Sequence, residues 1–484
     1  MKPLTTSIYT FSRLIRGGFL YVDKTAGIYD LIRPAFAQYF LSRPRRFGKS
    51  LLISTLKSIF LGQRELFEGL AIQRTDYDWR TYPVIHLDLG SVRSRTVEEV
   101  ESSLLRRVRQ MGRDCGCEPA ADNCYDAFED LIRDLHEREG NVVILIDEYD
   151  KPLLRNLGSD LAGEIQGVLK TFYSIIKTTE PLQRFVLLTG VSKFSKVSVF
   201  SDLNNLTDLT MQQGAATLLG YTQEELETNF PDYIDRLAEA NGMTDEKCLR
   251  ELRNWYDGYR FHQSAETVYN PVSVMRCLMQ QEFQNYWFET GTPTFLLDLL
   301  KRQPLEMGEM KVLATAFSAY EPDDLDPLPL LVQTGYLTIQ DMQWRGRRRE
   351  YYLDYPNFEI EESFNQWLAQ HFCNLSAREF STVLDKLVGA LEEGRVEDML
   401  EHLKTFFAGV PNTITVRREK YYQTIFYTVF QLIGALIEVE VSTNIGRIDA
   451  TVETDDDIFI FEFKLRGTAE EALEQIREKH YAEP

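Results

Sequence analysis

At 484 residues, with 44% hydrophobic and 12% aromatic content, the chain carries apolar material for about two to four globular cores at ~100–200 residues each. A net charge of −21 excludes a surface coated in positive potential, so any nucleic-acid contact is confined to a local groove. No apolar leader or run of ~18 apolar residues is present, and six cysteines, including Cys115-Gly116-Cys117, lack zinc-site spacing; the expectation is a soluble, cytoplasmic protein with reduced thiols and no membrane partner.

In chain order, Phe19 to Thr25 (F-L-Y-V-D-K-T) reads as a strand-like run ending at a helix cap. It would serve either as a lid over a nucleotide base or as an N-terminal segment packed on the core. Tyr39, Phe40 and Leu41 read as a buried strand, and Leu52, Leu56 and Phe60 recur at helical spacing. Between them, Arg43 to Ser50 (R-P-R-R-F-G-K-S) puts Gly48-Lys49-Ser50 where a strand hands over to a helix N-terminus. Unpaired N–H groups and the helix dipole favour an anion there. Lys49 would reach the β- and γ-phosphates of ATP and the Ser50 hydroxyl would hold Mg²⁺, with Arg45, Arg46, Phe47 and Gly48 completing the loop. Arg43 stands where G-x-x-x-x-G-K-[ST] has its first glycine, which implies a different turn into the loop, with Pro44 fixing the bend. A Gly-Lys-Ser triplet alone also arises by chance at helix starts.

Pro83 to Leu89 alternates as a strand, helical patterns cover Val97 to Met111 and Tyr125 to Glu139, and Val142 to Ile146 is apolar throughout. Such a run belongs in a parallel sheet, buried on both faces. Asp147 would coordinate Mg²⁺ through its water shell, and Glu148 would polarise the attacking water; the same two acids could instead cap a helix. A helix over 160–179 precedes the strand Arg184 to Gly190. Thr189 and Ser192 are candidates for sensing the terminal phosphate, or are strand-end caps. Strands alternating with helices over 37–190 spell a parallel α/β sheet.

From Thr222 to Arg302 the pattern is that of a helical lid, and the aromatic runs Trp255 to Tyr259 and Tyr286 to Gly291 fit core better than base-stacking platforms. Pro322 to Pro329 reads as a linker, after which Leu331 to Ile339 and Glu350 to Tyr355 bracket a basic hairpin tip, Trp344 to Arg349. That tip either touches phosphates or is solvated. Helical patterns at Glu361 to Cys373, Ala377 to Glu393, Val396 to Phe407 and Lys420 to Leu436 lead to strands at Ile437 to Ser442, Arg447 to Glu453 and Ile458 to Lys464, then a helix from Ala469 to Lys479. Glu462 and Lys464 share one strand face, pointing toward a neighbour that carries Asp449. Two converging carboxylates suit Mg²⁺ or Mn²⁺, and a lysine beside the metal can activate water against a phosphodiester. An E-x-K alternation alone fits an exposed sheet face; the apolar setting I-F-I-F-E-F-K favours a site.

I-D-A at Ile448 to Ala450, E-F-K at Glu462 to Lys464 and the Gln475 to Tyr481 spacing resemble the PD-(D/E)xK nuclease superfamily. Y-V-D-K-T, S-R-P-R-R-F-G-K-S, L-I-D-E-Y-D-K-P, T-G-V-S-K-F-S and W-Y-D-G-Y resemble the AAA-ATPase-like bacterial proteins that carry such a domain. The resemblance implies an α/β fold: a P-loop NTPase parallel sheet over 1–220, a helical lid over 221–320, a β-hairpin connector over 321–357 and a nuclease-like α/β domain over 358–484. That last domain stops at Pro484, where the nuclease core normally adds a strand, and is expected to be short of it. Asp449, Glu462 and Lys464 would be the metal acids and lysine, and Gln475 would line a nucleic-acid groove, with DNA as the expected partner. The resulting expectation is an ATPase using ATP and Mg²⁺ coupled to a metal-dependent nuclease, with a homo-oligomer left open. The alternative is a nucleotide switch or remodelling ATPase whose nuclease-like domain only binds.

Overall fold

The structure is a computed structural model and describes residues 1–193, 205–287, 294–303, 305, 310–318, 326–373, 375–408, 418–433, 436–442, 447–453, 458–461, 473, 474 and 477. The chain divides into two compact units: Met1–Trp287 with Val312–Phe358, and Phe288–Lys311 with Glu359–Pro484.

The first unit is built on five strands, β1 (Ala37–Ser42), β2 (Val84–Asp88), β3 (Val142–Asp147), β4 (Gln183–Gly190) and β5 (Thr207–Asp208), in the order β2-β3-β4-β1-β5. Every pairing is parallel. The uninterrupted apolar run of β3 is buried along its whole length, as an interior strand covered on both faces requires. Helices Lys49–Phe60, Val97–Asp114, Cys124–Glu139 and Leu161–Thr178 supply the cover. Their starts are fixed locally: Thr96 accepts from the Glu99 amide, and Asn123 from the amides of Tyr125 and Asp126. The chain leaves β1, crosses to β2, and returns through β3 and β4 to pair again beside β1. This strand order opens a crevice at the carboxyl ends of the strands, where ligands of α/β sheets bind.

Two strand expectations are corrected. Residues 19–24 join no ladder; Val22 packs into the core, and Asp23 accepts from the Thr25 amide at 2.8 Å and the Ala71 amide at 2.7 Å, anchoring the segment as the helix Thr25–Ile32 begins. The side-chain anchor outweighs the β-propensity of F-L-Y-V. Leu331 to Thr334 are the end of a helix, Pro327–Thr334, whose start is set by Asp326 accepting from the Leu328 amide and by proline at the first turn.

The helices Gln223–Asn229, Pro231–Ala240, Asp245–Tyr256 and Pro271–Gln280 follow as a lid around Phe230, Leu237, Leu252, Tyr256, Tyr269 and Tyr286. Tyr256, Tyr259, Tyr286 and Trp287 of the aromatic runs are therefore core, as their composition suggested, while 288–291 lie outside the described residues. A three-stranded sheet of β6 (Lys311–Leu313), β7 (Thr338–Arg345) and β8 (Arg348–Asp354) runs in the order β6-β8-β7, and β7 and β8 form the expected hairpin.

In the second unit, helices Ala377–Glu392, Val396–Ala408 and Arg418–Leu432 precede β9 (Leu436–Ser442), β10 (Arg447–Glu453) and β11 (Ile458–Phe461). These form an antiparallel sheet in the order β11-β10-β9, the helix-then-three-strands pattern read from the sequence. Phe461 packs edge-on to Phe426 of the aromatic helix at 4.5 Å between ring centroids. Among the described residues no helix is long and apolar enough to cross a membrane.

The lid's W-Y-D-G-Y run is locked to the bend that follows the hairpin, between β8 and the helix Phe358–Phe372. Gly258 has φ +98, and a Cβ there would lie 1.8 Å from the Pro356 carbonyl oxygen, while the Asn357 amide donates to the Asp257 carbonyl at 2.6 Å. Gly258→Ala should therefore cost about 3 kcal/mol from left-handed strain and overpacking. A clear drop in the thermal midpoint is expected, and an unchanged midpoint would show that the junction can relax.

Candidate functional site

The loop 43–48 leaves β1 and enters the helix Lys49–Phe60 through Gly48 at φ +91, a left-handed conformation that glycine adopts without strain. No side chain caps this helix start, so its first N–H groups are open to an anion. The buried Lys49 ammonium donates to the carbonyls of Arg43 at 2.8 Å and Pro44 at 2.7 Å. Lysine has three donors; two close the loop around the ammonium, and the third has no partner among the described residues. Burial pulls the Lys49 pKa down to about 8, against the opposing fields of Asp147, Asp150 and Glu148. An incoming anion would meet a cation whose charge the protein only partly supports.

Arg43 explains itself once its partners are seen. Its side chain is fully buried, donating at 2.8 Å to each of the carbonyls of Ser42, Thr210 and Ala215, with the guanidinium 4.0 Å above the Phe261 ring. Burial lowers its pKa to about 9, opposed by Asp208. The missing first glycine is thus a buried structural cation, and the loop's turn is set by its side chain. The neighbouring residues are held from outside. Arg46, at φ +66, donates to the Tyr286 carbonyl, Trp287 donates to the Arg45 carbonyl at 3.2 Å, and Phe47 packs edge-on to Tyr259 and Phe261.

Asp147 ends β3 and is 4% exposed. Its Oδ1 accepts from the Thr189 hydroxyl at 2.7 Å and from the Glu148 amide at 3.0 Å. Thr189 therefore orients the acid across neighbouring strands. Glu148 sits at φ +51, a conformation seldom adopted by residues other than glycine, and its carboxylate lies 3.5 Å from the Lys151 ammonium. Ser50, Ser54, His86, Asp88, Asp147 and Glu148 line one cleft of about 590 Å³. Burial lowers the His86 pKa, favouring the neutral ring.

Two residues escaped sequence reasoning. Asp150 is buried, and its Oδ2 accepts from the Val191 amide at 2.9 Å and from the Ser192 amide and hydroxyl at 2.7 and 2.8 Å. Burial raises its pKa despite those donors. Ser192 thus faces Asp150, in the role of a strand-end anchor. Asp88 pairs in register with Asp147 at the end of β2; the alternation of 83–89 placed it on a strand, and only the sheet order brings the two acids together.

The donor set fits a nucleotide with a hydrated divalent cation: an open helix start, a ring-held lysine, a hydroxyl at Ser50 and one oriented acid. Among the described residues no group of three or more His, Cys, Asp or Glu could hold a metal by itself, consistent with an ion that keeps several waters and takes phosphate oxygens. In the second unit, Asp449 lies on β10, half-buried. Glu462, Lys464 and Gln475 lie outside the described residues.

With its parallel sheet, phosphate-binding loop and C-terminal three-stranded domain, the chain belongs to the family of AAA-ATPase-like bacterial proteins with a PD-(D/E)XK nuclease superfamily domain. The family model described as "Predicted AAA-ATPase" matches residues 5–200 and that of the PD-(D/E)XK nuclease superfamily residues 417–484. A relative named "Uncharacterized protein in vnfD 5'region", from Azotobacter chroococcum mcd 1, is 38% identical over 502 aligned residues that span 100% of this chain and 93% of the relative. Two solved structures from Aeropyrum pernix, the ORC1 protein in complex with DNA and the ORC2 protein, are 14% and 13% identical. Each covers 71% of this chain and 91% of its own at a TM-score of 0.28, too low to bear on this protein.

Arg43→Gly restores the glycine of the general motif but takes the guanidinium donors from three carbonyls, those of Ser42, Thr210 and Ala215, and leaves a cavity behind. It should lower stability by about 3–5 kcal/mol without tightening ATP binding, as thermal unfolding and equilibrium titration would show. Wild-type stability in that variant would deny Arg43 its structural role.

Proposed function

We propose that the first unit binds and hydrolyses ATP with Mg²⁺, and that nucleotide state controls a metal-dependent nuclease at the C-terminal domain, with DNA as substrate. The observation that carries the reading is the Lys49 ammonium, held by two loop carbonyls at the mouth of an uncapped helix, across the sheet from an oriented Asp147. In this reading Lys49 and the amides opening its helix bind phosphate oxygens, and Arg45, Arg46 and Phe47 fix the outer turn through the lid. Ser50 and Asp147 would hold Mg²⁺, which supplies neutralisation of charge on the phosphate oxygens. Thr189 keeps Asp147 aimed, and Glu148 accepts the proton of the attacking water. The left-handed backbone at Glu148 supports that role, since strain of this kind gathers at functional sites.

For the nuclease, Ala450 pairs with Phe461 across β10 and β11; Asp449 precedes the first and Glu462 follows the second in the sequence. That adjacency supports the two acids as partners for a metal, with Lys464 as the group that orients water and Gln475 on the substrate side.

One paired experiment tests both halves. Glu148→Gln should lower ATP turnover by roughly a hundredfold or more while leaving ATP binding intact, the usual cost of losing a positioned base. Glu462→Ala should abolish DNA cleavage with Mg²⁺ or Mn²⁺ and leave DNA binding intact. Unchanged turnover in the first variant would remove Glu148 from the chemistry. Cleavage that survives in the second, or is absent from wild type under both metals, would leave the C-terminal domain a binding module.

A further inference from the structure

The hairpin of β7 and β8 carries a charge pattern at odds with the rest of the chain. Its base is built in: Thr338, Ile339, Tyr351 and Leu353 are buried, and Thr338 accepts from the Arg260 amide at 2.8 Å. From Gln340 to Arg349 the chain is exposed apart from the half-buried Met342, but Glu350 and Tyr351 opposite Gln343 and Met342 are buried, so the part exposed on both strands is the tip: two residue pairs, roughly 7 Å of ladder at ~3.3 Å per residue, and the turn. Trp344 pairs with Arg349 and Arg345 with Arg348. The turn is Gly346-Arg347, with only the glycine at positive φ, the tight hairpin connection that starts on glycine.

Residues 345–349 contain four arginines and no acid, in a chain of net charge −21. Arg345 is partly engaged by Glu350 at 3.9 Å, and the Arg349 guanidinium stands 5.9 Å from the Trp344 ring centroid. Trp344 itself is 65% exposed. A large aromatic left open among arginines, at the tip of a hairpin whose β8 strand is buried up to Glu350, is a poor use of surface for a solvated turn.

We propose that this hairpin is a contact for duplex DNA, separate from the nuclease-like domain: a two-stranded ribbon laid in a groove, its arginines on the flanking phosphates and Trp344 against the sugar edge. Three features fit that occupant. A two-stranded β-ribbon matches the ~12 Å major groove. Arginine holds phosphate bidentately. The acidic remainder of the chain repels a polyanion, so approach is directed to the tip. The inference does not rest on the nuclease reading, because the hairpin lies in the first unit and needs no cleavage.

The test is fluorescence anisotropy of a labelled 20-base-pair duplex with the full chain in EDTA, where no metal-dependent cleavage interferes, across a salt series. Arg347→Glu/Arg348→Glu should weaken binding by roughly tenfold or more and reduce the slope of log affinity against log salt by about 2. Trp344→Ala should weaken it without changing that slope. Both variants change exposed residues, and an unchanged thermal midpoint certifies their folds. Affinity and slope equal to wild type in the double variant would overturn the proposal. So would loss of binding to anionic lipid vesicles with duplex binding unchanged, which would assign the tip to a membrane surface. Stronger dependence on the tip for single-stranded DNA or for RNA than for the duplex would overturn the groove geometry.

Discussion

Two cations six residues apart, Arg43 and Lys49, are buried in a single loop, and a buried cation costs several kcal/mol unless its donors are satisfied. The chain meets most of them with backbone, leaving Arg43 Nε and one Lys49 donor without a partner among the described residues. Arg43 takes carbonyls from the end of β1 and from the stretch after β5, and the Arg43 and Pro44 carbonyls in turn take Lys49. The loop is therefore a relay: the side chain of Arg43 fixes its own carbonyl, and that carbonyl fixes the lysine. Asp150 does the matching work on the far side of β4, gathering the amides after Gly190. Between these two anchors, Thr189 and Asp147 meet at one hydrogen bond. The geometry of the candidate site depends on both anchors holding together.

Much of this was legible in the chain itself. The all-apolar run 142–146 announced an interior parallel strand, the helical spacing after Ser50 located the open helix start, and the period-two pattern after Leu436 gave the C-terminal strands. Arg43 was not legible, because its partners Thr210 and Ala215 lie 167 and 172 residues away, and a local motif sees only the absent glycine. Asp150 was hidden for the same reason, since its donors stand 41 and 42 residues on. The two misread strands differ in kind. Leu331 to Thr334 follow a helix signal present in the sequence itself, Asp326-Pro327, which outweighs their apolar run, whereas Phe19 to Thr25 is settled by Asp23 reaching the Ala71 amide, a tertiary contact that no local pattern contains.

The charge distribution separates two proposed roles within the first unit. An acidic chain confines polyanion contact to local basic ground, and two such places among the described residues are the phosphate loop, where Arg43 and Lys49 are buried, and the hairpin tip, whose arginines are exposed. Buried cations select by fit and exposed ones by field, so the former suits a nucleotide and the latter a polymer.

The central claim is that the loop around Lys49 is a nucleotide site despite Arg43. Calorimetric titration of Mg-ATP into the full chain, wild type against Lys49→Ala, tests it most directly. The account predicts micromolar binding by the wild type and its loss in the variant, with the variant still folded. No binding heat from the wild type, or equal affinity in both proteins, would contradict it and leave the loop as a structural crossing of the sheet.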